Sequence, residues 1–157
     1  VEIQITENQV SFGQKEKKGI GSLIVSKLVE GAYPNYKQVI PSESKHRVTL
    51  DKDELFHALR RAEIMTSEKA NSVKLTFSEN NLTFTANSPE VGESRETMAI
   101  KYGGQATSIA FNPQFFIDPL KALEEEEVYF EFTDQLSPGV VKVNHPFLYV
   151  IMPMRTS

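Results

Sequence analysis

The sequence predicts an α+β fold made of two β-α-β-β-β halves, preceded by the last strands of another such half. Two observations predict it. The first is a hairpin written three times. Val1-Glu-Ile-Gln-Ile-Thr-Glu-Asn-Gln-Val-Ser-Phe12 returns as Val73-Lys-Leu-Thr-Phe-Ser-Glu-Asn-Asn-Leu-Thr-Phe84, and more loosely between Val128 and Val143. Internal repeats fix an architecture before any single element does. The second observation is what precedes each copy: the later two follow a short strand and a helix, and the first follows nothing. The chain therefore reads as the tail end of something longer.

The elements follow in order. Val1, Ile3 and Ile5, then Val10 and Phe12, then residues 23–28 alternate as strands do around a Glu7-Asn8 turn and a charged connector from Gly13 to Gly21. Three antiparallel strands without a covering helix need a neighbour. Residues 31–46 carry turn formers around Pro34 and Pro41 and read as an interdomain linker. Tyr33, Tyr36, Val39 and Ile40 make it apolar enough to lie against a domain. From Arg47 a compact unit begins. Val48 and Leu50 form a strand, and Asp51 with Glu54 gives a capping-box start to a helix. Leu55, Ala58, Leu59, Ala62 and Met65 form its apolar stripe, with Lys52, His57 and Arg60 pointing away. Strands are expected at 73–79, 82–88, about 93–102 and 108–111. Asn112 then caps a second helix with Pro113 in its first turn, where a missing N–H costs nothing. Phe116, Leu120 and Leu123 make its stripe, and Pro119 should kink or shorten it. Strands at 127–133, 139–144 and 147–153 close the chain. The reading is thus 1–30 as terminal strands of an incomplete domain, 31–46 as linker and 47–157 as a complete domain.

Composition narrows function. No cysteine is present, which removes thiolate nucleophiles, disulfides and Cys-ligated metals, and fits the cytoplasm. A net charge of −4 argues against a surface that grips nucleic acid all over, while leaving room for a local basic strip. The Lys15–Lys18 and Glu124–Glu127 runs read as solvated surface, and four adjacent carboxylates on a turn lack the convergence a hard cation needs. His46, His57 and His145 are scattered, there is no Gly-rich phosphate loop, and no cofactor or metal is expected.

Four segments resemble one family. Tyr149-Val-Ile-Met-Pro-Met-Arg155 is similar to the closing signature of the bacterial sliding clamp, the beta subunit of the replicative DNA polymerase III. Ser26 to Tyr36 with Val39-Ile-Pro41 resembles its second interdomain region. Ala86-Asn-Ser-Pro-Glu90 and Ile109-Ala-Phe-Asn112 resemble its third domain. All four fall in the family's order. The resemblance implies the DNA clamp fold and a non-catalytic processivity factor in DNA replication, a homodimeric ring of six similar domains around duplex DNA. Polymerase, clamp loader and repair proteins would dock on it through short linear motifs. It also implies that the first domain and most of the second are absent from this sequence, so that this chain alone should not close a ring.

The resemblance also implies sites. The peptide-binding groove falls on Pro34, Val39, Asn112, Phe115, Leu136, Pro138, Val150, Met152, Pro153, Met154 and Arg155. Two residues depart from the family pattern: Phe115 stands where Tyr is usual, and Pro138 where a small polar residue is common. The residues support a groove independently. Phe115 lies off its helix stripe, and Met152 and Met154 are adaptable side chains suited to several partners. DNA-facing candidates are Lys52, Arg60, Arg61 and Lys121, cations that would meet phosphate without reading bases. Ile64 lies opposite the first helix's stripe, as a residue buried by a partner would. In the family this helix end, here Ile64-Met65, meets the other subunit, with Glu93 and Glu96 near that edge. The competing reading is a stand-alone clamp-like module that binds peptides but never encircles DNA.

Overall fold

The computed structural model describes residues 1–14, 21–66 and 71–155. The Lys15–Lys18 run and most of the Gly13–Gly21 connector lie outside them. The chain divides into two compact units, Val1–Asn35 and Tyr36–Ser157.

The first unit is one antiparallel sheet of β1 (Glu2–Ile5), β2 (Gln9–Gln14) and β3 (Ser22–Lys27) in sequence order. Ile3 pairs with Phe12 and Phe12 with Ile24, so the alternation read from the sequence sets the register. Ile3, Ile5, Leu23, Ile24 and Val25 remain exposed, as a three-stranded sheet with no helix of its own requires.

The second unit holds two four-stranded antiparallel sheets and two helices. Its elements are β4 (His46–Asp51), α1 (Lys52–Ile64), β5 (Val73–Ser78), β6 (Asn81–Ser88), β7 (Gly92–Ala99) and β8 (Thr107–Phe111). Then come α2 (Gln114–Ala122), β9 (Glu127–Phe132), β10 (Gly139–Lys142) and β11 (Leu148–Ile151). One sheet runs β11-β10-β9-β4 and the other β7-β6-β5-β8. Each half thus supplies its first short strand to the edge of the sheet whose hairpin belongs to the other half. Of the apolar linker, Tyr36–Gln38 forms a single 3-10 turn and belongs to this unit, whose first strand begins at His46.

Asp51 does cap α1: the Glu54 N–H donates to Asp51 Oδ1 at 2.8 Å. Leu55, Ala58, Leu59 and Ala62 are buried and Met65 is half-buried, so the predicted stripe is the buried face. At α2 the Asn112 side chain accepts from the Gln114 N–H at 3.0 Å, with Pro113 already in helical geometry at φ −60° and ψ −30°. Pro119 leaves the helix short, ending at Ala122. Helices α1 and α2 pack against one another.

The core is seamed by aromatic rings. Phe77 from β5 meets Phe132 from β9 at 4.4 Å between centroids. Phe130 from β9 meets Phe111 from β8 at 5.8 Å and Phe116 from α2 at 5.2 Å. One chain of rings therefore joins both sheets to a helix. His46 belongs to this seam, half-buried 5.0 Å from the Phe132 ring at the start of β4, rather than to the 31–46 linker in which the sequence placed it.

Three strands end two or more residues earlier than alternation predicts: β10 stops at Lys142 rather than at residue 144, and β7 and β11 also fall short. β7 stops at Ala99; just past it the Ile100 N–H still donates to Asn80 O, in the Glu79-Asn80 turn where Asn80 takes φ 53°. β11 stops at Ile151, two residues before Pro153, which has no N–H for a ladder. Beyond it the Met154 N–H reaches Ala110 O of β8 at 2.7 Å. The tail therefore crosses from the edge of one sheet to the edge of the other.

Candidate functional site: a divided groove at the C-terminal tail

That crossing shapes the surface around it. The loop between β9 and β10 rises beside the tail and separates two depressions. One, of about 500 Å³, is lined by Val39 and Pro41, by Thr133, Ser137 and Pro138 of the loop, and by Met152. The other, of about 340 Å³, is lined by Leu136, Met154 and Arg155 with Lys74, Ser108 and Ala110. Six of the predicted groove residues thus converge: Val39, Pro138 and Met152 in one depression, Leu136, Met154 and Arg155 in the other. Two anchors stand clear of the core, with Leu136 64% and Met152 54% exposed. Apolar side chains exposed beside a concave surface are the usual make-up of a docking site.

The remaining predicted residues are placed differently. Phe115, 47% exposed at the start of α2, and Asn112, occupied as that helix's cap, line neither depression. Val150 pairs with Val140 inside the β10–β11 ladder and is half-buried. Pro153 acts through the backbone, by ending that ladder. Pro34 belongs to the first unit. Lys74, Ser108, Thr133 and Ser137 carried no signal in the sequence. Only their outward positions on strands and loop bring them to the groove.

The dividing loop is held by one carboxylate. Asp134 Oδ1 accepts from the backbone N–H groups of Leu136 at 2.9 Å and Ser137 at 2.8 Å. The Leu136 N–H, the Ser137 hydroxyl and the Ser137 N–H, helped by the charge of Lys45, hold the Asp134 carboxyl below its usual value of 3.8. A depressed folded-state pKa stabilises the loop above the ordinary value, and that contribution disappears as pH falls through the depressed one. Protection factors of the Leu136 and Ser137 amides, taken by NMR against the intrinsic exchange rate at each pH, should be high at neutral pH and fall below about pH 4. In Asp134→Ala, which has no acceptor, protection should be low at every pH. Equal protection in the two proteins at neutral pH would show that the carboxylate does not hold the loop.

The cationic and apolar candidates on α1 fall into two groups. Arg60 pairs with Glu63 at 2.7 Å on the exposed face, and Lys121 on α2 is exposed with no ion-pair partner among the described residues. Lys52 does not simply point away from the stripe. Its side chain is only 18% exposed, its Nζ donates to Leu123 O at 3.1 Å, and Asp53 lies 3.6 Å away. Arg61 grips Glu96 of β7 through Nε and a terminal nitrogen, both at 2.6 Å, a bidentate pair that raises the guanidinium's pKa further. Arg61 and Glu96, assigned to separate surfaces by sequence, are therefore one unit. Ile64 is 72% exposed, and half-buried Met65 approaches Gly92 at the start of β7, the free edge of its sheet.

Two repeated halves, paired helices and a tail bridging the sheets define a DNA clamp domain. The same arrangement is found in the DNA polymerase III subunit beta of Pseudomonas aeruginosa, with a TM-score of 0.77 and 30% identity over 98% of this chain and 42% of that one. A DnaN sliding clamp from Bartonella birtlesii, solved bound to griselimycin, gives 0.77 and 27% over 98% and 41%. Among curated proteins, the beta sliding clamp of Chlamydia muridarum is 40% identical over 134 residues, covering 85% of this chain and 37% of its own length. That of Escherichia coli K12 is 35% identical over 156 residues, covering 98% and 41%. The family model for the C-terminal domain of the DNA polymerase III beta subunit matches residues 37–155, and the chain belongs to that family. It spans about two fifths of the length of these relatives.

Proposed function

We propose that this chain serves as the C-terminal part of a replicative sliding clamp, a processivity factor that acts in the cytoplasm without covalent chemistry. In this reading Tyr36–Ser157 is the last clamp domain and the sheet of Val1–Asn35 closes the preceding one. The observation that carries it is the divided groove, with exposed Leu136 and Met152 beside adaptable Met154. Such a surface suits short apolar segments of polymerase, loader and repair proteins, docked one at a time. Asn112, Phe115, Val150 and Pro153 would complete or support the groove.

The helices supply the second role. Lys121 and Arg60, with Lys52 behind them, would meet phosphates of duplex DNA weakly and without sequence preference, as sliding requires. Arg61, committed to Glu96, belongs instead with Ile64, Met65 and Glu93 on the surface that would meet a second subunit in a ring. A bidentate ion pair beside an exposed Ile fits a surface held in shape for a partner better than one facing polyanion.

Binding of a fluorescein-labelled peptide of about ten residues, carrying two Leu and one Phe among polar residues, tests the groove. Anisotropy should rise with a dissociation constant in the micromolar range, as for weak transient docking, and the chain should elute as a monomer. A well-folded sample that leaves the peptide tumbling freely would sink this reading.

A further inference from the structure

We propose that the groove continues into a cationic annex formed by Lys74 and Arg155, which takes acidic residues flanking the apolar core of a docked peptide. The proposal rests on the peptide-groove reading above and names the chemistry of its ligand more closely.

The annex follows from strand register. Lys74 on β5 stands opposite Ala110 on β8, and Thr76 opposite Ser108. Alternation turns Lys74 and Thr76 outward, away from the buried Val73, Leu75 and Phe77. The Met154 N–H then ties the tail to Ala110 O, the residue opposite Lys74. The backbone that binds Met154 therefore delivers Arg155 to the same 340 Å³ depression as Lys74, beside Leu136. The volume suits one or two side chains.

Neither cation is spent elsewhere. Among the described residues neither Lys74 nor Arg155 has a carboxylate partner, whereas Lys52, Arg60, Arg61 and Lys142 all do. Asp134, the nearest acid along the dividing loop, has Oδ1 turned to the loop's own N–H groups. The Ser108 and Thr76 hydroxyls share one hydrogen bond at 2.9 Å. Among the described residues the depression thus offers positive charge without a counter-charge, next to apolar side chains. A peptide with an acidic residue beside its apolar core matches both features, and a nucleic acid backbone would leave Leu136 and Met154 uncovered.

Two labelled peptides with one apolar core, ended on both sides by Asp-Asp or by Ser-Ser, test this on the whole chain and on Lys74→Glu. The quantity read is the ratio of the two affinities for each protein. At low salt the unsubstituted chain should favour the acidic peptide about threefold to tenfold, the range expected of exposed ion pairs. The preference should shrink toward unity in 0.5 M salt, where screening is short-ranged. Lys74→Glu should abolish or reverse it, and Lys74→Gln, which leaves Arg155 in place, should reduce it without reversal if the glutamate variant does not fold. Equal binding of both peptides to the unsubstituted chain, or a preference untouched by Lys74 substitution, overturns the annex and leaves the groove standing. Binding of neither peptide overturns both.

Discussion

Phe130→Ala is expected to lower the free energy of unfolding by about 3–5 kcal/mol, a large part of what a domain of this size possesses. Phe130 is 1% exposed and touches Phe77 and Phe111 of one sheet, Phe132 of its own, and Phe116 of α2. Its removal opens a void that no single neighbour can fill, because those rings come from four elements. Gly139 reports on the same spot from the opposite direction. A Cβ there would stand 2.5 Å from Phe130 Cζ and 3.3 Å from Phe111 Cζ, so Gly139→Ala should cost about 1–3 kcal/mol by overpacking. The double variant provides the sharper measurement. With the Phe130 ring gone, the added methyl loses its two closest contacts and keeps only the 3.3 Å approach to Phe111, so the two costs should sum to clearly more than the cost of the pair. Urea unfolding followed by circular dichroism gives all three values. Strict additivity, or a Phe130→Ala cost under about 1 kcal/mol, would show that the ring seam does not hold the sheets together.

Much of this fold was legible because hairpins and amphipathic helices write themselves locally. The Glu7-Asn8 and Glu79-Asn80 turns, the Asp51 and Asn112 caps, and the stripes of α1 and α2 each depend on residues a few positions apart. What was not legible depends on residues far apart. The Arg61–Glu96 pair joins a helix to a strand 35 positions away, and no periodicity of either element announces it. Lys52 read as an outward cation because its wheel position is outward. The Leu123 carbonyl that captures it belongs to the end of the other helix. His46 looked like a linker residue until Tyr102 and Phe132 closed on it.

The groove divides in the same way. Its tail residues were legible from their resemblance to a closing signature, and the Met-Pro-Met order has a plain physical reading. Pro153 ends the ladder, and the methionines on either side then leave the sheet and reach the surface. The opposite wall was not legible in full. Leu136 and Pro138 were anticipated, whereas Thr133, Ser137 and Lys74 enter only through loop shape and strand register. Phe115 and Asn112, read as groove residues, flank α2 outside the two depressions. The side-chain surface they add is that of a helix start, with the Asn112 side chain already spent on Gln114.

The groove makes a demand on energetics that an ordinary apolar surface does not. Met152→Ala and Leu136→Ala remove side chains that are 54% and 64% exposed, so each should leave the unfolding free energy within about 0.5 kcal/mol. Each should nevertheless weaken binding of an apolar peptide about tenfold, since anchors at the centre of an interface carry about 1–2 kcal/mol or more. The two losses should also add, to about a hundredfold in the double variant. Met152 lies with Val39 and Pro138 on one side of the dividing loop, and Leu136 with Met154 on the other, so the two truncations share no pocket. Val91→Ala supplies the control. Val91 is equally exposed, at 54%, but lies between β6 and β7 at the far edge of the other sheet, and its loss should leave peptide affinity unchanged. If affinity fell only in step with stability, these side chains would be structural. If Val91→Ala weakened binding as much as Met152→Ala, the peptide would be adhering to apolar surface in general, and the divided groove would have no claim to be the docking site.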